Sequence, residues 1–110
     1  MFQPFTNIED IEQFIQSNQL AFIYVSRENC SVCHGLLPQV KEMFTKYPKV
    51  KTALVDADKV PAFTGQYTVF SVPALLLFVN GKEFLREAQI VPMQPFEEKV
   101  SRIYEHVVNS

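Results

Sequence analysis

Several things are missing from this sequence, and each absence narrows the function. There is no tryptophan and no run of basic residues. The longest apolar stretches, Leu20–Val25 and Ala74–Val79, fall far short of the roughly 20 residues a membrane-spanning helix needs. The opening Met1-Phe2-Gln3-Pro4 lacks the basic start and apolar core of an export signal, so a cytoplasmic location is expected. Lys and Arg number 10 against 12 Asp and Glu, interspersed, for a net charge of −2. That balance offers no basic face for nucleic acid and no polybasic segment for an anionic membrane. Neither is an expected partner.

What is present suits one compact domain. The chain has 110 residues, 47% hydrophobic and 20% charged, with ten Phe; this is enough to build a core and too short for two domains. A single domain over 1–110, monomeric by default, is expected. Phe2–Thr6 reads as an edge strand, the one place where Pro4 is tolerated. Thr6-Asn7-Ile8-Glu9 has the form of a capping box, followed by Ile8, Ile11, Phe14 and Ile15 at helical spacing to about Asn18. Leu20–Val25, Val50–Val55 and Ala74–Val79 read as strands buried on both faces. Between them, Cys33, Leu36, Leu37, Val40, Phe44 and Tyr47 form a helical stripe that stops before Pro48. A short helix is expected over Val60–Tyr67. Asn80-Gly81 signals a hairpin into Lys82–Glu87, and a last helix starts at Gln94 or Pro95. The order β-α-β-α-β-α-β-β-α predicts an α/β domain of three layers around a mixed sheet.

The chemistry is concentrated in the two cysteines. Cys30-Ser31-Val32-Cys33 stands where a buried strand gives way to an amphipathic helix. At a helix N-terminus, unpaired backbone N–H groups and the helix dipole stabilise a thiolate, the nucleophile of disulfide exchange. Cys33 lies one turn further on, within reach of a mixed disulfide formed at Cys30. Three other readings compete. Cys30 to His34 spells the haem-attachment pattern, but that chemistry goes with export, and His34 continues an ordinary helix. Zinc is the second, but His34 and His106 are scattered and supply no second paired half for a site. A pair of inert core thiols is the third; it suits Cys33 on the apolar stripe better than Cys30, which follows four polar residues. No metal and no bound cofactor are expected, and redox chemistry is favoured over all three.

With these residues in view, the sequence resembles the thioredoxin family from Ile8 to Val107. Four features match in order: the Cys30/Cys33 pair after the first buried strand, Pro38 inside the following helix, Val72-Pro73 before the strand Ala74–Val79, and Asn80-Gly81 between the last two strands. The resemblance implies a thioredoxin fold, three-layer α/β/α with a central five-stranded sheet ordered 1-3-2-4-5. It implies that Val72-Pro73 is a cis-proline loop packed against the cysteines, with Ser71, Val72 and Pro73 offering backbone to a client strand. It also implies reduction of disulfides in client proteins, recharged by a thioredoxin reductase or a low-molecular-weight thiol.

The sequence departs from the family at informative places. Asn29 stands where the family has Trp, and Ser31-Val32 replaces Gly-Pro between the cysteines. Asn29 is expected to cap the helix. Tyr24 occupies the place of the family's buried acid, and a neutral phenol is a poor base at cytosolic pH. Activation of Cys33 then falls to Glu28 or to water, or resolution is slow; alternatively Tyr24 only fills the core. Gln89 replaces a glycine, Ala74 replaces a threonine, and Phe70 borders the loop as either client contact or core. A specialised or slower reductase is expected, with a redox sensor or an adaptor as the competing readings. Both cysteines are kept, which an adaptor does not need.

Overall fold

The two uninterrupted apolar runs become the middle of a sheet. In a computed structural model that describes residues 2–109, β2 (Leu20–Ser26) and β4 (Ala74–Val79) lie side by side, antiparallel, with every residue from Leu20 to Val25 and from Ala74 to Val79 buried. Met1 and Ser110, the outer limits of the expected 1–110 domain, lie outside the described residues. β3 (Lys51–Asp56) runs parallel to β2, and β1 (Phe2–Phe5) parallel to β3 at one edge. β5 (Lys82–Ala88) closes the other edge antiparallel to β4. The order is β1-β3-β2-β4-β5, as the family resemblance implied.

Helices α1 (Ile8–Ser17) and α3 (Pro61–Gln66) supply one outer layer, α2 (Ser31–Phe44) and α4 (Met93–Val108) the other. The alternation of side chains along β2 feeds both cores. Ala21, Ile23 and Val25 join the α1 and α3 side, while Leu20, Phe22 and Tyr24 join the α2 and α4 side. The second core is aromatic. Phe22 packs against Phe44 with ring centroids 4.3 Å apart, and against Phe2 and Phe96 near 6 Å.

Several boundaries differ from the sequence reading, each for a local reason. The cap of α1 is Asn7, not Thr6: its side chain accepts from the Asp10 backbone N–H at 2.8 Å, and Asp10 returns as acceptor for the Asn7 amide. α2 ends at Phe44, with Tyr47 beyond it in a turn, because Thr45 and Lys46 N–H groups bond Glu42 and Met43 carbonyls in the tighter i→i+3 pattern. α3 spans Pro61–Gln66 within the expected 60–67. α4 begins at Met93 with Pro92 as its cap residue, so Pro95 falls in the first turn, where its missing N–H costs no helical bond.

The topology assembles one working edge. β2 and β3 end there at Ser26 and Asp56, β4 begins there at Ala74, and β5 ends there at Ala88, since Val25 faces Ala74 and Ala74 faces Ala88. The strand order switches direction beside β2, which opens a crevice at the strand ends. Four connections meet at this edge: 27–30, 57–60, 67–73 and 89–92.

Candidate active site

The first of these connections carries the cysteines. Ser26-Arg27-Glu28-Asn29 leaves the buried strand, and Cys30 N–H turns back to the Arg27 carbonyl. Asn29 is exposed and does not cap α2. The cap is Cys30 itself, in extended conformation, whose Sγ accepts the Cys33 backbone N–H at 3.1 Å. The Cys30 sulfur takes the place of the asparagine because it sits at the position from which a side chain can reach the N–H three residues on. Cys30 and Cys33 are joined as a disulfide, with Cα atoms 5.2 Å apart.

The two cysteines differ sharply in access. Cys30 is partly exposed, whereas Cys33 is 1% exposed and faces the core from α2. Ser31 and Val32 between them are exposed. Pro38 lies inside α2, which continues through it. Having no N–H, Pro38 denies the His34 carbonyl its usual helical donor. Separately, the exposed His34 ring bonds the Glu28 carbonyl through Nε2 at 2.8 Å. That tether between helix and active-site loop was not visible in sequence, where His34 mattered only as part of a haem pattern. Arg27 adds an exposed ion pair to Asp58 at 3.3 Å.

Tyr24 lies under the pair. Completely buried, it donates its hydroxyl to the Cys33 carbonyl at 2.6 Å. It therefore fills the core and also holds the first turn of α2. Burial pushes its ionisation up to about 12, so it keeps its proton and cannot serve as a base. Glu28, the other candidate, is exposed on the loop before Cys30, where its backbone carbonyl bonds the His34 ring.

This burial has a measurable consequence for stability. Below about pH 10 folded and unfolded Tyr24 both hold the proton; above it only the unfolded phenol ionises, and stability falls until the folded group follows. The loss is about 1.4 kcal/mol for each pH unit across that window. Urea midpoints at about pH 9 and about pH 11 are expected to separate more for the native protein than for Tyr24→Phe. Equal separation would contradict the burial account.

Two more connections lie at the same end of the sheet as the disulfide. The Val72–Pro73 peptide is cis, Pro73 is buried, and Ser71 and Val72 are partly exposed. The Pro73 carbonyl accepts the Gln89 N–H at 2.8 Å, so the 89–92 connection is stitched to this loop. Gln89 takes a positive φ of 68°, a conformation that explains a glycine at that place in the family. Phe70 is not core: it is 84% exposed, and Ile90 85%, with Val32 at 60%. A shallow groove of about 350 Å³ between α2 and the 89–92 connection has Val32, Leu36, Ile90 and Val91 in its lining.

The sequence model of the thioredoxin family matches residues 4–105. This chain belongs to the thioredoxin family. Thioredoxin-like protein YdfQ of Bacillus subtilis (strain 168) is 43% identical over 98 residues, covering 89% of this chain and 88% of that protein. The oxidised thioredoxin of Plasmodium falciparum superposes with a TM-score of 0.83 at 22% identity, covering 91% of this chain and 98% of the other. Fasciola hepatica thioredoxin gives 0.83 at 22%, covering 92% and 98%. At that identity the structures show the fold, and the fold is the thioredoxin one. Family, fold and a Cys-x-x-Cys pair at disulfide distance make the chain a thiol–disulfide oxidoreductase. Such thioredoxin-family enzymes work on disulfide-bearing client proteins and exchange electrons with a reductase. Among the described residues no helix is long and apolar enough to cross a membrane.

Proposed function

We propose that this oxidoreductase works as a single-domain monomer in the cytoplasm and reduces disulfides of client proteins, with Cys30 attacking and Cys33 resolving. The observation that carries this assignment is the asymmetry of the pair: Cys30 is reachable at the head of α2, Cys33 is buried. In the reduced protein the Cys33 N–H that now points at Cys30 Sγ stabilises a thiolate there, as does the helix N-terminus. The Cys30 thiolate attacks one client sulfur; the client S–S bond breaks, and the departing client thiolate takes a proton from solvent. Cys33, once deprotonated, attacks Cys30 Sγ, breaks the mixed disulfide and releases the second client thiolate. Two electrons have then passed to the client, and Cys30–Cys33 is oxidised. A thioredoxin reductase or a low-molecular-weight thiol returns the pair to the dithiol.

The client's extended segment lies against Ser71, Val72 and Pro73, and its apolar side chains rest on Val32, Phe70 and Ile90. Exposed apolar groups clustered around a reactive pair are what a contact surface requires. With Tyr24 beneath Cys33 in place of an acid, resolution depends on solvent to take the proton, and the enzyme is slower or more specialised than an ordinary thioredoxin.

A redox titration of the pair tests this assignment, with thiols counted by mass after alkylation. A single two-electron transition at about −270 mV, as in thioredoxin, is expected of a reductase. A markedly less negative value would make the protein an oxidant or isomerase, and the absence of any transition would make it an adaptor.

A further inference from the structure

Arg86 lies on β5 and makes four side-chain hydrogen bonds. Its guanidinium donates to the Thr68 carbonyl at 2.8 Å through one terminal nitrogen and to the Tyr67 carbonyl at 2.6 Å through the other. Two further N–H groups form a fork onto Glu83, Nε to one carboxylate oxygen and a terminal nitrogen to the second, both at 2.8 Å. These two residues should not share a face, because an odd separation along a regular strand puts side chains on opposite sides. The ladder between β4 and β5 breaks register at Leu77/Phe78: Leu77 faces Leu85, and Phe78 faces Glu83. Phe84 is the extra residue, and a one-residue bulge flips the alternation after it. Glu83 and Arg86 therefore both fall opposite residues of the α1 and α3 core, Phe78 and Leu76.

The carbonyls that Arg86 holds begin the 67–73 connection. Thr68 sits there at φ 58°, a left-handed conformation that a β-branched residue adopts only where its surroundings impose it. Beyond it Val69 is buried, its N–H on the Thr64 carbonyl at 2.9 Å. Phe70, Ser71, Val72 and Pro73 follow. The far end of the connection is fixed by β4 and by Gln89; at the near end Tyr67 packs on Phe63 and Phe78, Val69 is buried, and Arg86 is the side chain that holds the Tyr67 and Thr68 carbonyls.

We propose that Glu83 and Arg86 form a strut in which Arg86 is a positioning residue for the 69–72 segment, setting how well a protein client is held without touching the redox pair. The proposal rests on the assignment of Ser71, Val72 and Pro73 as the client-contacting backbone. A small disulfide that needs only the sulfurs does not feel the strut. Arg is required over Lys, because only a planar fork reaches two carbonyls and a carboxylate together.

The test compares native protein, Arg86→Ala, Arg86→Lys and Glu83→Gln with insulin as protein disulfide and oxidised glutathione as small disulfide. In Arg86→Ala the KM for insulin is expected to rise about tenfold at unchanged kcat, the signature of lost binding alone. Reduction of glutathione disulfide and the potential of the Cys30/Cys33 pair stay as in the native protein. Arg86→Lys restores little, and Glu83→Gln shifts KM in the same direction by about threefold, carrying the test should Arg86→Ala fail to fold. Backbone amide exchange across 69–72 should quicken in all three variants, by about tenfold in Arg86→Ala. Unchanged exchange in a folded variant, an unchanged KM for insulin, or equal damage to both substrates would each overturn the strut. If native protein does not reduce insulin, the client-reduction assignment fails, while the exchange measurement still decides the strut.

Discussion

Cys33→Ser is expected to turn catalysis into capture: incubated with disulfide-bearing proteins, it should accumulate a covalent adduct on Cys30 and release almost no reduced product. The proposed roles give the reason. On that assignment the partly exposed Cys30 opens the client disulfide, and the buried Cys33, a single helical turn away, is the only other thiol of the chain that can displace it. With serine at 33 the mixed disulfide waits for an external thiol. Cys30→Ser removes the nucleophile itself, so turnover should fall by on the order of a thousandfold or more, with no adduct. Non-reducing electrophoresis and intact-protein mass, read before and after dithiothreitol, distinguish the two. An adduct on Cys30→Ser and none on Cys33→Ser would reverse the assigned roles. Capture by neither variant would remove the exchange mechanism and leave the adaptor.

What could be read from sequence divides along the range of the interactions involved. β2 and β4 were legible because they lie in the middle of the sheet and must be apolar on both faces; alternation was not needed to find them. The site's position was legible because the cysteines occur at a strand-to-helix junction, and junction residues are fixed by neighbours in sequence. Sequence alone points to Asn29 as the cap of α2, since capping statistics favour asparagine and say nothing of a cysteine sulfur that sits one residue closer to the N–H it must reach. The cap of α1 was displaced by one residue for a similar reason: Asp10, not Glu9, returns the bond.

Contacts set by tertiary register were beyond such a reading. Glu83 and Arg86 appear on opposite faces until the bulge at Phe84 is known. Whether Phe70 is core or surface depends on how 67–73 turns, and that turn contains a threonine in a conformation no propensity scale would assign to it. The same limit applied to Tyr24. Its place under the cysteines followed from the family resemblance, but its partner, a backbone carbonyl nine residues away in sequence, became visible only when α2 was laid on the sheet.

That partner makes Tyr24→Asp the most revealing single substitution. A phenol fills the space beneath Cys33 and spends its one hydroxyl proton on the Cys33 carbonyl; an aspartate fills less space and brings a charge. Removing the buried ring should cost about 3–5 kcal/mol through lost packing and the cavity left behind, with the buried carboxyl adding to the loss. For a domain of this size that lowers the melting temperature by roughly 15–30 °C. Tyr24→Phe, which keeps the ring and loses only the hydrogen bond, should cost about 1 kcal/mol. The kinetic effect runs the other way. In the native protein the rate of mixed-disulfide resolution should climb with pH as solvent removes the Cys33 proton, with no inflection from a buried carboxyl. In Tyr24→Asp a carboxylate lies within the site to take that proton, so resolution near neutral pH should quicken by on the order of tenfold and acquire such an inflection. Stopped-flow measurement of product release from a preformed Cys30 adduct reads both. A native profile already showing the inflection, or a folded Tyr24→Asp no faster than Tyr24→Phe, would mean that Cys33 is activated by a group other than the one Tyr24 has displaced. A faster and less stable Tyr24→Asp would show that the buried phenol trades speed in the second step for stability at the centre of the domain.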